Sequence, residues 1–245
     1  MKHITMVVMA AVGMVGCGGQ TEKQGSPLLH GHYEGVLTSG GVGLSINGVV
    51  SDEGDVVLYS SNGEFFYGGV LGADQDGGVR GVFSAYSLDR SLTTNFAIYG
   101  SYTGAISDFD GAAVTRQGIS GFTTAGAGVA RLDIAFNRSR SDVPGTVSSL
   151  AGDYSGVDGD SFWNLNVTAG GVITGADDLG CAFDGVAGLN AGTNTYAIRE
   201  LEVDCGDGAF LVDGVAYRTS RGIGLSLYGD DFVVIGDLQR TPGGP

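Results

Sequence analysis

Cys181 and Cys205 are the two side chains in this sequence best placed to react with one another. Each belongs to a stretch of alternating apolar and polar residues, and the turn-forming run Asn190-Ala191-Gly192-Thr193-Asn194 lies between them. A hairpin centred on Thr193 sets the two cysteines directly opposite, on the face shared by Phe183 and Val203. That arrangement predicts a disulfide inside the fold, as expected of an isolated pair outside the reducing cytoplasm. Two small buried thiols packing as hydrophobes is the alternative. A one-residue slip of register would turn one thiol outward and forbid the bond.

Other reactive groups are harder to assemble into a site. His30-Gly31-His32 would present both rings on one side of an extended chain, but two ligands are too few for a specific metal site. Solvated histidines at the end of a tether are the better reading, and no metal ligand or cofactor is assigned. Asp74-Gln75-Asp76-Gly77, Asp108-Phe109-Asp110-Gly111, Asp158-Gly159-Asp160 and Asp177-Asp178 offer oxygen ligands. None has the distal glutamate of a calcium loop, so they read as turns. A hydrolytic triad needs a histidine beside its nucleophile, and the second half of the chain has none. No Gly-x-Ser-x-Gly elbow occurs, and nothing selects one carboxylate pair for glycoside hydrolysis. The expectation is a non-enzyme, with a carboxylate-based hydrolase as the weaker reading.

Composition narrows the partners. With 12 Lys+Arg against 27 Asp+Glu, the chain carries a formal charge of −15, which disfavours nucleic acid. Glycine supplies 46 of 245 residues and proline only 4, while 42% are hydrophobic. Glycine at that density among Val, Tyr, Phe and Thr describes many short strands joined by tight turns.

The elements that must position these residues follow from alternation and turn chemistry. Strands are expected near 31–38, 42–50, 55–61, 64–73, 79–88, 95–107, 112–124 and 128–138, with Asn62-Gly63 and Asp110-Gly111 as hairpin turns. A second set is expected near 152–157, 161–168, 171–176, 179–188, 195–205, 208–217, 222–228 and 232–240. Gly31-His32-Tyr33-Glu34-Gly35 and Gly152-Asp153-Tyr154-Ser155-Gly156 open the two sets as a repeat. Gly100-Ser101-Tyr102-Thr103-Gly104 is a third copy, read as an internal strand. No window shows a helical stripe. The expected fold is all-β: two tandem antiparallel eight-stranded meander barrels, or partly open ones, at 30–140 and 150–245 with a linker at 141–149. Trp163, Leu165 and Val167 should fill one interior, and Leu132, Ile134 and Phe136 the other. Gly81, near Phe83, should let aromatic rings fold across the lumen. Tyr59, Phe65, Phe66, Tyr67, Tyr86 and Tyr99 are too many for one face of one barrel, and an interface between the units is expected to absorb the surplus.

The N-terminus carries an address. Lys2 precedes an apolar run from Ile4 to Val15, too short to span a bilayer but suited to a signal peptide at 1–16. Met14-Val15-Gly16-Cys17 resembles the lipobox of bacterial lipoproteins, which implies that Cys17 takes a diacylglycerol and becomes the first mature residue, with 17–29 as a tether. Gly18, rather than Asp, after that cysteine implies an outer-membrane address, facing either the periplasm or the exterior. The run from Leu150 to Cys205, including Ser161-Phe162-Trp163-Asn164-Leu165 and Gly180-Cys181-Ala182-Phe183-Asp184-Gly185, resembles Gly-rich proteobacterial lipoproteins that carry no assigned activity. In layout alone the chain resembles two-barrel surface lipoproteins such as transferrin-binding protein B and factor-H-binding protein. The expectation is a binding or structural lipoprotein of the cell envelope, with the membrane as partner through its lipid. A lipocalin-like carrier of a small apolar ligand is the alternative, and it requires an internal cavity.

Overall fold

The computed structural model describes residues 29–242 apart from 52, 63, 75, 90–93, 126–127, 144, 190–192 and 207. The proposed signal peptide, Cys17 and nearly all of the tether therefore lie outside the described residues, as do Gly63 and the tip of the 190–194 turn.

Among the described residues there are sixteen antiparallel strands. The first eight are β1 (Gly31–Ser39), β2 (Val42–Val50), β3 (Asp55–Ser60), β4 (Phe65–Ala73), β5 (Gly78–Asp89), β6 (Ala97–Val114), β7 (Gly118–Ala125) and β8 (Gly128–Phe136). Each pairs with the next, and β8 returns to β1 through seven residue pairs from Tyr33↔Phe136 to Ser39↔Ala130, closing an eight-stranded barrel. Its interior is apolar, built from Tyr33, Ile46, Leu58, Phe83, Phe109 and Leu132 among others. Its outward side chains include Glu34, Arg80, Asp108, Asp110, Arg131 and Asp133. Val36, Val82, Ile106, Phe122 and Val129 stand exposed among them, so the outer face is mixed in character.

The second eight are β9 (Gly152–Asp158), β10 (Ser161–Val167), β11 (Val172–Asp177), β12 (Ala182–Leu189), β13 (Thr195–Asp204), β14 (Ala209–Arg218), β15 (Gly222–Tyr228) and β16 (Phe232–Arg240). They too pair in sequence, and β16 meets β9 at Gln239↔Ser155 and Arg240↔Tyr154. Trp163, Leu165, Val167, Phe183, Leu201 and Val203 share one buried core, as their alternation requires.

One expected turn is displaced. Asp110-Gly111 lies within β6, which runs on to Val114, and the chain reverses through Thr115–Gln117 with Arg116 at φ +55°. Gly111 is there for space: a β-carbon on it would run into the Ser120 carbonyl and the tip of the Phe109 ring. Gly81 pairs with Phe109 on one side and Leu71 on the other, and a β-carbon on it would meet the Val70 carbonyl and the Leu71 side chain, so what it clears is Leu71 rather than an aromatic ring.

Both copies of the Gly-x-Tyr-x-Gly repeat do the same structural work. Tyr33 donates its hydroxyl to the Leu29 carbonyl at 2.7 Å, and Tyr154 donates to the Leu150 carbonyl at 2.6 Å. Leu29 and Leu150 are each buried, so the repeat extends two residues upstream of its first glycine.

Of the described residues in 141–149, only Ser141 is buried. A single helical turn, α1 (Arg138–Ser141), is capped by Asn137, whose side chain accepts from the Arg140 amide. Buried Ser141 accepts the His32 amide at 2.9 Å, and a 3₁₀ turn at Val147–Leu150 leads into β9. The two halves are also fused laterally: β6 continues into β16 through five residue pairs from Ala97↔Gly236 to Ser101↔Phe232. A further core between the halves joins Val49, Val57, Phe66 and Tyr86 to Val215, Tyr217 and Val233.

Candidate functional site

The aromatic surplus divides as its positions dictate. Phe66, Tyr86 and Tyr59 pack in the core between the halves, Tyr67 leans on the barrel interior, and Tyr99 packs against Trp163 at 6.2 Å. Phe65 stays exposed.

At one end of this junction the packing opens into a cleft of about 480 Å³. β5 supplies Ser84 and Tyr86, β6 supplies Tyr102 and Ile106, β14 supplies Leu211 and Asp213, and the β15–β16 turn supplies Asp230 and Asp231 beside Tyr228. The Tyr86 and Tyr102 rings lie 5.6 Å apart. Tyr86 donates to the Gly229 carbonyl at 2.6 Å, which ties the barrel to the β15–β16 turn. Burial, with Asp230, Tyr102 and Asp231 adding to it against a hydrogen bond from Ser84, pushes its hydroxyl up to about 12. Burial also raises Tyr228, whose hydroxyl reaches the Gly69 carbonyl at 3.3 Å. Both phenols thus stay neutral and hold the wall in place. Ile106 and Leu211 remain 63% and 57% exposed, so apolar surface lies open beside three carboxylates.

That cleft belongs to a wider polarity of charge. In the second set of strands every turn at the cleft end carries aspartate: Asp160, Asp178, Asp204 and the Asp230-Asp231 pair. The turns at the opposite end, 168–171, 190–194 and 219–221, contain no carboxylate; the last of them includes Arg221 and follows Arg218, and Arg240 ends β16.

Cys181 and Cys205 form the expected disulfide, with sulfurs 2.08 Å apart. It sits just beyond the ends of β12 and β13 at the aspartate end, with Cys181 buried and Cys205 exposed, so it staples the rim rather than the interior. Its register has a different origin from a hairpin centred on Thr193. Near the turn Leu189 pairs with Tyr196 and Ala187 with Ile198, one residue out of step with the cysteines. A bulge at Arg199-Glu200 restores the step, so that Asp184 pairs with Glu202 and Ala182 with Asp204. Glu200 takes φ +49° to do so, and its amide donates to Asp213 at 2.9 Å.

The bulge also aims Arg199 across the junction. Its guanidinium meets Glu53 at 2.6 Å and the nearly buried Asp55 at 2.7 Å. Nothing in the local sequence signals this pairing, because the partners are 144 residues apart.

His32 corrects the solvated reading. It is buried in β1, with Nε2 3.1 Å from Asn194 Oδ1 and its ring edge-on to Tyr217 at 5.0 Å. Burial above all, then nearby Arg140, lowers it to about 4 against the opposing effect of the hydrogen bond it can donate to Asn194. His30 is half-buried.

The aspartate turns are held by their own backbone. Asp74 accepts the amides of Asp76 and Gly78, and Asp177 those of Leu179 and Cys181. Asp158 instead accepts from Asn95 across the junction, at 3.0 and 2.7 Å. Among the described residues no group of three or more His, Cys, Asp or Glu is placed to hold a metal ion. Inside the first barrel, a cavity among Leu37, Tyr67, Phe83 and Leu132 measures about 10 Å³. A small-molecule carrier needs some 300 Å³ or more. No family model, no curated protein and no solved structure matches this chain.

Proposed function

We propose that this chain is a non-catalytic binding or structural lipoprotein of the cell envelope, anchored in the outer membrane through Cys17. The β9–β16 set is read as a second barrel, narrowly closed by the β16–β9 pairing, which makes the mature protein two barrels fused side by side. The cleft between them carries the functional reading. Its tyrosine wall, open apolar rim and three aspartates suit a partner that presents cationic groups beside apolar ones, such as a basic segment of another envelope protein. The small size of the cavity inside the first barrel favours this reading over a carrier that uses that barrel.

Two measurements test this reading. Labelled palmitate should enter the wild-type protein in cells and not the Cys17→Ser variant; incorporation into both, or neither, refutes the anchor. An oligo-arginine probe peptide should shift the NMR signals of residues lining the cleft. That response should be lost in a Tyr102→Ala/Asp231→Asn double variant, and an unchanged response would exclude the cleft as the binding site.

A further inference from the structure

A second groove lies at the opposite end of the junction, and its chemistry is opposite too. It has a volume of about 420 Å³ and lies between α1 and the β14–β15 turn, lined by Arg140, Arg218, Asn194, Thr219 and Ser220 with no carboxylate. In a chain of net charge −15 this is an unusual concentration of cationic and neutral donors. Arg218 has no carboxylate within ion-pair distance among the described residues. Arg140 stacks over the Tyr217 ring at 5.5 Å, and its nearest carboxylate, Glu34, is 3.9 Å away and already accepts from Asn137 at 2.8 Å. Both guanidinium groups therefore keep donors to spare. Asn194, buried at the base, is held by His32 on one side and the Arg218 carbonyl on the other.

The position of the groove names its occupant. The described chain begins at Leu29, and Gly31 lies against Ser141 of α1, adjacent to Arg140. The tether proposed above thus leaves the fold beside the groove. Cys17 lies twelve positions before Leu29, a relaxed reach of roughly 20 Å for a flexible chain. A lipid anchored at Cys17 would hold this end of the molecule within easy reach of the bilayer surface. Charges more than about 8 Å apart are screened at physiological salt, so the surface meets the local arginines and not the distant aspartates.

We infer that the Arg140–Arg218 groove binds the phosphate of an anionic lipid headgroup and so orients the protein on its membrane, basic end down and aspartate-rich cleft outward. Two guanidinium forks suit a phosphodiester, and the hydroxyls of Thr219 and Ser220 can complete its oxygens. The inference rests on the anchored reading of Cys17, but its test does not require the lipid.

The unlipidated mature chain, residues 18–245, retains every described residue and is floated with vesicles at low salt. Vesicles of phosphatidylcholine containing phosphatidylglycerol should carry it up the gradient, and pure phosphatidylcholine should carry it less. Arg218→Gln, at an exposed position, should weaken the association about fivefold, and Arg140→Gln by a similar factor. Arg131→Gln, on β8 and paired with Asp133, should leave it unchanged. Equal recovery with both vesicle types, or no loss in either groove variant, overturns the inference. Inorganic phosphate that shifts NMR signals of the groove without any vesicle binding would also overturn it, assigning the site to a free anion. Because palmitate labelling reports on Cys17 alone, a failed anchor and a failed groove remain distinguishable.

Discussion

Arg199 on β13 places its guanidinium 2.7 Å from the carboxylate of Asp55 on β3, joining the two halves of the molecule through a side chain that is almost wholly buried on the acidic side. Asp55 also accepts from the Ser51 hydroxyl at 3.0 Å. Burial raises its pKa, and Arg199 and Ser51 hold that rise in check. Arg199→Ala removes the counter-charge and leaves Asp55 to protonate or to stay charged without its partner. The expected loss is about 2 kcal/mol, less than for a fully buried pair because Arg199 is 41% exposed. A urea midpoint checks this, and adding Asp55→Asn should recover part of the loss.

The bulge at Glu200 stores strain that glycine would not. A glutamate at φ +49° occupies a region that side chains rarely adopt. Glu200→Gly keeps the amide that bonds Asp213 and should stabilise the protein by about 0.5–1 kcal/mol. The check is an increased urea midpoint with an unchanged slope and an intact Cys181–Cys205 bond by mass.

His32 makes the junction sensitive to acid. Burial lowers its pKa to about 4 from the ordinary 6.5, so the unfolded chain binds the extra proton between those limits. Stability contributed by neutral His32 is therefore complete above about pH 7 and is lost as pH falls through 6.5 toward 4. Between pH 7.5 and 4.5 the loss should be about 2.5 kcal/mol. Asp55 and Asp237, both raised mainly by burial, act in the other direction, so the comparison must be with His32→Gln. The wild type should lose ground to that variant as the solution is acidified. Parallel pH profiles would show that His32 does not titrate in this range.

The paired tyrosines make a symmetric prediction. Tyr33→Phe and Tyr154→Phe each leave a leucine carbonyl, Leu29 or Leu150, without its 2.7 or 2.6 Å donor. Each should cost about 1–2 kcal/mol, measured by thermal or urea unfolding. A cost at only one of the two positions would show that the repeat is structural in one half alone.

Much of the strand layout can be read from the chain because its signals are local. Turn residues and period-two alternation mark both sets of eight, and Trp163, Leu165 and Val167 point inward as their spacing demands. Asp110-Gly111 misleads for a physical reason: the same small pair that suits a turn also suits a strand that must clear the Phe109 ring. His32 is misread because what buries it, Tyr217 and Asn194, comes from the far half of the chain. The cysteine pairing is legible, but the bulge that aligns it is not, since Glu200 carries no residue signal for a left-handed backbone. The cleft and the arginine groove are invisible for the same reason as His32: each is assembled across the junction from strands remote in sequence.

β1 begins at Gly31 and is paired along its length with β2, and from Tyr33 onward with β8 as well. A pull applied at Gly31 and directed along β1 would run parallel to the strand. Interstrand hydrogen bonds lie perpendicular to that direction, so the load would fall on both ladders in shear at once. The closure that joins β8 to β1 therefore gives the first strand of the barrel mechanical support from two sides, which an edge strand would lack.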